Sequence, residues 1–186
     1  MMDGSSPGRY LIRLNGPDLI TLSGVLTSAL AAVNALHGRW YLGTALLFLA
    51  MLGDALDGLL ARRMGLARAF GRYLDGFMDV LIYLAVPALV FYLSGFNGAW
   101  GAVLLLMIAC GCVRLAVFND IGNIEDGGGL AYLGMPVFWS VFILAGYLVL
   151  RLILPEGLLY PVLALTLLAF SHAMVMRRPF FKFKRL

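Results

Sequence analysis

Residues 53–79 read GDALDGLLARRMGLARAFGRYLDGFMD, which sets Asp54, Asp57, Asp75 and Asp79 among four arginines. A helix turns by about 100° per residue, so Asp54 and Asp57 share a face with Gly58 and Ala61. Asp75 and Asp79, four residues apart, share another, with Gly71 one turn earlier. Where two such faces meet, four carboxylates surround a cleft floored by residues with little or no side chain. Clustered carboxylates repel one another unless a hard divalent cation neutralises them, and Mg²⁺ or Mn²⁺ takes oxygen ligands that it shares with substrate phosphates. Carboxylates, metal and a slot for a bulky ligand point to phosphoryl transfer, in which two ions stabilise the attacking and leaving oxygens.

The rest of the chain has to hold this cleft in lipid. Hydrophobic residues make up 62% of it, charged residues only 13%, and its mean hydropathy is +0.91, which excludes an ordinary soluble domain. Apolar windows predict six membrane-spanning helices, at residues 18–36, 40–63, 71–93, 99–119, 133–152 and 157–176. The fold class expected is therefore all-α: one integral membrane domain over residues 1–186, a six-helix bundle with a short interfacial amphipathic helix in the arm 1–17 and a basic tail at 177–186. Lys and Arg accumulate in the N-terminal arm, in the connections after the second and fourth spans, and in the tail. Only Arg39 and Arg151 fall on the other side. By the positive-inside rule both termini and the aspartates face the cytoplasm, and the net charge of +4 requires no nucleic-acid partner.

A carboxylate at the centre of a membrane helix costs about 2.5–3.5 kcal/mol on insertion scales, so four in one stretch need a function. A cation pathway through a transporter is one reading, but that would distribute acids over several helices and both membrane halves. Here all four sit at the cytoplasmic ends of two consecutive spans, which favours a one-sided enzyme cleft. The triple glycine 127–129 lacks the Gly-Lys-Ser/Thr ending of a phosphate loop and reads as a flexible connection or lid. Cys110 and Cys112, His37 and His172 read as structural.

The run Asp54-x2-Asp57-Gly58-x2-Ala61-Arg62-x8-Gly71-x3-Asp75-x3-Asp79 resembles the signature of the CDP-alcohol phosphotransferase family of membrane enzymes at every fixed position. The resemblance implies transfer of a substituted phosphate from a CDP-linked donor to an alcohol, with release of CMP. It implies that Asp54, Asp57 and Asp75 hold two divalent cations, with Asp79 also at the metal site and acting as general base on the acceptor hydroxyl. Asp54, Gly58, Ala61, Arg62, Gly71 and Asp75 would bind the cytidine diphosphate, and the enzyme would be a homodimer, most simply in a prokaryotic cell membrane.

For the acceptor, Arg114 to Asn119 (RLAVFN), Gly134 to Pro136 (GMP) and the basic ending resemble segments of bacterial and archaeal phosphatidylserine synthases. This implies CDP-diacylglycerol as donor and L-serine as acceptor, with Arg114 and Asn119 at the acceptor site. The same stretch departs from those enzymes at Gly76, at Ile82-Tyr83-Leu84, where they carry Ser-Phe-Gly, and at Val117. Another acceptor (glycerol 3-phosphate, inositol or its phosphate, choline) or another CDP-linked donor is the alternative. An intramembrane arginine needs a partner, so Arg114 either meets a carboxylate or phosphate or anchors its helix by snorkelling.

Overall fold

The computed structural model describes residues 12–122, 124–126 and 129–184. Helix α1 (Gly16–Leu36) opens with a capping box: Asn15 Oδ1 accepts from the Asp18 N–H and Asp18 Oδ2 from the Asn15 N–H, both at 2.9 Å. Gly38, at φ 73°, turns the chain into α2 (Trp40–Arg63), which returns along α1. The two helices touch closely: a Cβ on Gly43 would stand 2.9 Å from the Ala31 carbonyl oxygen. This antiparallel hairpin brings the start of α1 level with the end of α2, where Asp54 and Asp57 lie.

The third span is one rod, Ala69–Leu93, built of α3 (Ala69–Asp79), a π-helical segment (Val80–Ala85) and α4 (Val86–Leu93). Pro87 explains the widened turn. It has no N–H to donate to the Tyr83 carbonyl four residues earlier, and its ring would collide with that carbonyl in a regular helix. The freed carbonyl of Tyr83 accepts instead from Ser140 Oγ. Helix α5 (Gly101–Ile121) follows, entered by the 3₁₀ turn Gly98–Trp100.

Six helical spans were expected, and among the described residues five helices are long and apolar enough to cross a membrane, which makes the chain an integral membrane protein. The fifth expected span is corrected. Its helix, α6, is only Trp139–Leu150, because Gly134 at φ 75° and Pro136 hold its approach out of helix. Nonetheless α6 reaches from Ser140, beside Tyr83, to Leu148, whose carbonyl accepts from Tyr41 Oη at the start of α2. Helix α7 (Glu156–Val175) completes the bundle and packs mainly against α5.

A small antiparallel sheet lies outside the all-helical expectation: β1 (Ile124–Asp126), β2 (Gly129–Leu133) and β3 (Pro179–Lys184), in the order β1-β2-β3. It ties the connection after α5 to the chain beyond α7. Gly134 is needed at this corner, since a Cβ there would come within 2.3 Å of the Met174 carbonyl oxygen. The interfacial helix expected in the N-terminal arm is absent over residues 12–15, which are not helical. Tyr10, Leu11 and the earlier residues lie outside the described ones, as do Gly127, Gly128 and Arg185.

The core is mostly apolar, with Leu47, Leu84, Val90, Phe91, Met107 and Leu144 fully buried, and Asp57, Asp79, Arg114 and Ser140 are buried among them. The outer surface is apolar as well: Leu105, Leu152, Ile153 and Phe77 are each at least 70% exposed. Such a surface suits a hydrocarbon solvent.

Candidate active site

Helix α2 contributes Asp54 and Asp57, and α3 contributes Asp75 and Asp79. One carboxylate oxygen from each of Asp54, Asp57 and Asp75 falls within 4.8 Å of the others. Asp54 Oδ1 is buried and receives no hydrogen-bond donor, an orphan lone pair that a hydrogen-bonded interior rarely tolerates. Three convergent hard oxygens and this orphan fit a divalent cation. Asp79 is 9% exposed and faces the same space from one turn further along the rod.

Three cavities border the cluster: one, about 300 Å³, lies between α1 and α2 beside Asp54 and Asp57 and is lined mostly by apolar residues, and the other two carry the arginines. The larger, about 470 Å³, is lined by Asp57, Gly58, Ala61, Arg62, Gly71 and Asp75, joined by Asp18, Arg68 and Arg72. The missing side chains matter here: the Arg62 guanidinium folds back over Gly58, 3.5 Å from where a Cβ would sit, and Asp18 Oδ1 lies 3.6 Å from the corresponding point on Gly71. The smaller cavity, about 200 Å³, is lined by Asp54, Asp75, Asp79, Tyr83, Arg114 and Tyr132. Five aspartate and arginine positions singled out in the sequence, Asp54, Asp57, Arg62, Asp75 and Asp79, are thus brought to one place.

Arg114 is 5% exposed and sits in the small cavity rather than reaching for an interface. Its guanidinium lies 4.8 Å from the Phe118 ring and 5.6 Å from the Tyr132 ring, which are themselves 5.9 Å apart. Its Nε is buried without a hydrogen-bond acceptor. A cation held between ring faces with donors to spare can receive an anion. Asn119 is placed differently. Its side chain packs onto the backbone of α3, where a Cβ on Gly76 would come within 2.3 Å of Nδ2, so Gly76 is the residue that lets α5 approach.

Several partners of the site carried no recognised signal. Thr21 Oγ1 donates to Asp57 Oδ2, Tyr83 Oη donates to Asp54 Oδ2 at 2.7 Å, and Asp18 pairs with Arg68. Arg68 also donates to the Arg13 carbonyl at 2.8 Å. The Asn15-x2-Asp18 spacing was legible as a helix start, and Thr21 follows on the same face; their bonds to α2 and Arg68 depend on tertiary packing alone.

Residues 14–176 match the family model for CDP-alcohol phosphatidyltransferases, and the chain belongs to that family of divalent-cation-dependent membrane transferases. It is similar to the archaetidylserine synthase of Methanothermobacter thermautotrophicus, 30% identical over 125 residues, which cover 65% of this chain and 52% of that one. It is similar also to the CDP-diacylglycerol–serine O-phosphatidyltransferases of Mycobacterium tuberculosis, 30% identical over 84% of this chain and 57% of that one, and Bacillus subtilis, 29% identical over 65% and 68%. The chain spans a little over half the length of the archaeal and mycobacterial relatives it matches.

Proposed function

We propose that this protein transfers the phosphatidyl group of CDP-diacylglycerol to the hydroxyl of a small, unphosphorylated alcohol, L-serine first, releasing CMP. The observation that carries this reading is the meeting of two unlike cavities at one aspartate cluster: a larger one rimmed by arginine and glycine, suited to a cytidine diphosphate, and a smaller one holding Asp79 and Arg114. The names of the similar synthases point to serine.

In this reading Asp54, Asp57 and Asp75 hold the divalent cations, Mg²⁺ or Mn²⁺, with Asp79 adjacent. When bound, the ions offset charge on the diphosphate and on the leaving phosphate. Arg114 holds the acceptor carboxylate and so points the acceptor hydroxyl at Asp79. Asp79 takes the hydroxyl proton as the acceptor oxygen bonds to the phosphorus bearing diacylglycerol, and the bond from that phosphorus to CMP breaks. Asn119 acts from behind, by spacing α5 against Gly76. Gly58, Ala61 and Gly71 admit the nucleotide to the backbone, and Arg62 answers its phosphate charge. The distribution of Lys and Arg puts these events on the cytoplasmic side, and the apolar outer surface would carry the homodimer contact that the family resemblance implies.

A phosphorylated acceptor is the second reading, since Arg68 and Arg72 line the larger cavity. Arg68, however, is already engaged by Asp18 and the Arg13 carbonyl, which favours an acceptor without phosphate. The test is CMP release from CDP-diacylglycerol by the purified protein, with serine, inositol, glycerol 3-phosphate, inositol phosphate or choline supplied singly. Release with serine, abolished by a chelator and restored by Mn²⁺ or Mg²⁺, is expected. Release only with a phosphorylated acceptor would overturn the serine reading, and chelator-resistant release would overturn the metal one.

A further inference from the structure

Two hydroxyls outside the aspartate motif grip its α2 carboxylates from opposite sides. Thr21, on α1, donates to Asp57; Tyr83, on the π segment, donates to Asp54. An ionised carboxylate only accepts, so both hydroxyl protons are committed to it, even though Thr21 Oγ1 also lies 3.1 Å from the Pro17 carbonyl. The bond from Tyr83 occupies Oδ2 of Asp54, while Oδ1 is buried without a hydrogen-bond partner.

Neither hydroxyl is loosely placed. Tyr83 is 3% exposed, and its carbonyl, released by Pro87, is held by Ser140 from α6. Ring and backbone of one residue are thus fixed from two different helices. Thr21 stands one turn into α1, directly after the capping box that starts the helix at a defined residue. The terminal torsion of an aspartate is soft, and a carboxylate that must present one oxygen to a metal gains from a partner that fixes its other oxygen.

We propose that Tyr83 and Thr21 are positioning residues of the divalent-cation site, orienting Asp54 and Asp57 so that their inner oxygens converge with that of Asp75. This rests on the metal-dependent reading above. It predicts that losing either hydroxyl weakens metal binding while leaving the ligand set and the bundle intact.

The experiment titrates the full-length protein in detergent with Mn²⁺ alone, following free Mn²⁺ by its paramagnetic resonance signal. Thermal unfolding is recorded in parallel without metal. Tyr83→Phe and Thr21→Val should each weaken Mn²⁺ binding by about tenfold or more, the range seen when a partner behind a metal ligand is removed. Thr21→Ser, which keeps the hydroxyl, should bind within about twofold of the parent by the same logic. The metal-free unfolding temperature of Tyr83→Phe should fall only by the few degrees that one lost buried hydrogen bond accounts for, since the ring and its packing remain. Unchanged Mn²⁺ affinity in Tyr83→Phe overturns the proposal while the parent still binds metal. A parent that binds no Mn²⁺ overturns the metal reading itself and this inference with it. Should Thr21→Val not fold, Tyr83→Phe and Thr21→Ser decide the matter between them.

Discussion

At the end of the bundle where α1 begins, polar side chains cross between helices and leave space between them. Where α1 finishes, polar groups bond the backbone and rings take up the space. The first end has Thr21 on Asp57, Tyr83 on Asp54 and Arg68 on Asp18. At the second end, Tyr147 Oη donates to the Ser94 carbonyl at 3.1 Å and Tyr41 Oη to the Leu148 carbonyl at 3.2 Å. Phe96, fully buried, stacks on Trp100 at 5.6 Å and meets Tyr160 edge-on at 5.9 Å. Each arrangement pairs hydroxyls in an apolar medium and still leaves some polar atoms unpartnered, Asp54 Oδ1 and Arg114 Nε at the first end and Trp40 Nε1 at the second. Carboxylates, though, have more lone pairs than one hydroxyl can use, so only the first end keeps acceptors open toward a cavity. Buried polarity by itself therefore does not mark a site here; unfilled acceptor capacity beside unfilled volume does.

The contrast can be broken most severely at Asp79. Asp79→Asn keeps the shape and removes the proton acceptor, and should lower kcat for CMP release by about 10²–10⁴-fold while Mn²⁺ binding stays close to that of the parent. Full turnover by this variant would return Asp79 to a structural role. Arg114→Gln comes next. It should raise the KM for the acceptor by about tenfold or more, as expected for a lost charge-assisted pair, with a smaller change in the KM for CDP-diacylglycerol. An unchanged acceptor KM would make Arg114 a helix anchor. The far end should respond in the other currency alone. Phe96→Leu there should cost about 1–3 kcal/mol of stability by emptying and reshaping the ring cluster, visible as a lower unfolding temperature with kinetic constants unchanged at low temperature.

Much of the fold was legible because its signals are local. Apolar length announced the helices, and Gly38 and Gly95, both at positive φ, marked breaks between them. The aspartate spacing placed Asp54 with Asp57 on one helix face and Asp75 with Asp79 on another. What escaped depends on partners distant in sequence. The fifth span looked continuous because Leu133, Met135 and Val137 are as apolar as the helix that follows, yet the Met135 N–H donates to the Ala173 carbonyl near the end of α7 and the Gly134 N–H to the Arg178 carbonyl beyond it, and the chain there stays out of helix. The strands around residues 124–133 and 179–184 form only by pairing with each other. At Ile82-Tyr83-Leu84 the departure from the synthase pattern read as something lost, whereas the tyrosine brings a hydroxyl to Asp54. Gly76 read the same way, and it is the residue that admits Asn119.

The π segment at Val80–Ala85 has a consequence for how this rod can change over time. A π turn holds one residue more than an α turn, and each added residue rotates everything after it by about 100°. It therefore acts as a phase joint between two halves of a single helix. Upstream, the angular setting is dictated by Asp75 and Asp79; downstream, Pro87, Val90 and Phe91 answer only to the apolar interior. With the two phases offset, substitutions that repack the downstream half need not swing the aspartates, and the half that carries Asp75 and Asp79 keeps its bearing while the other half drifts.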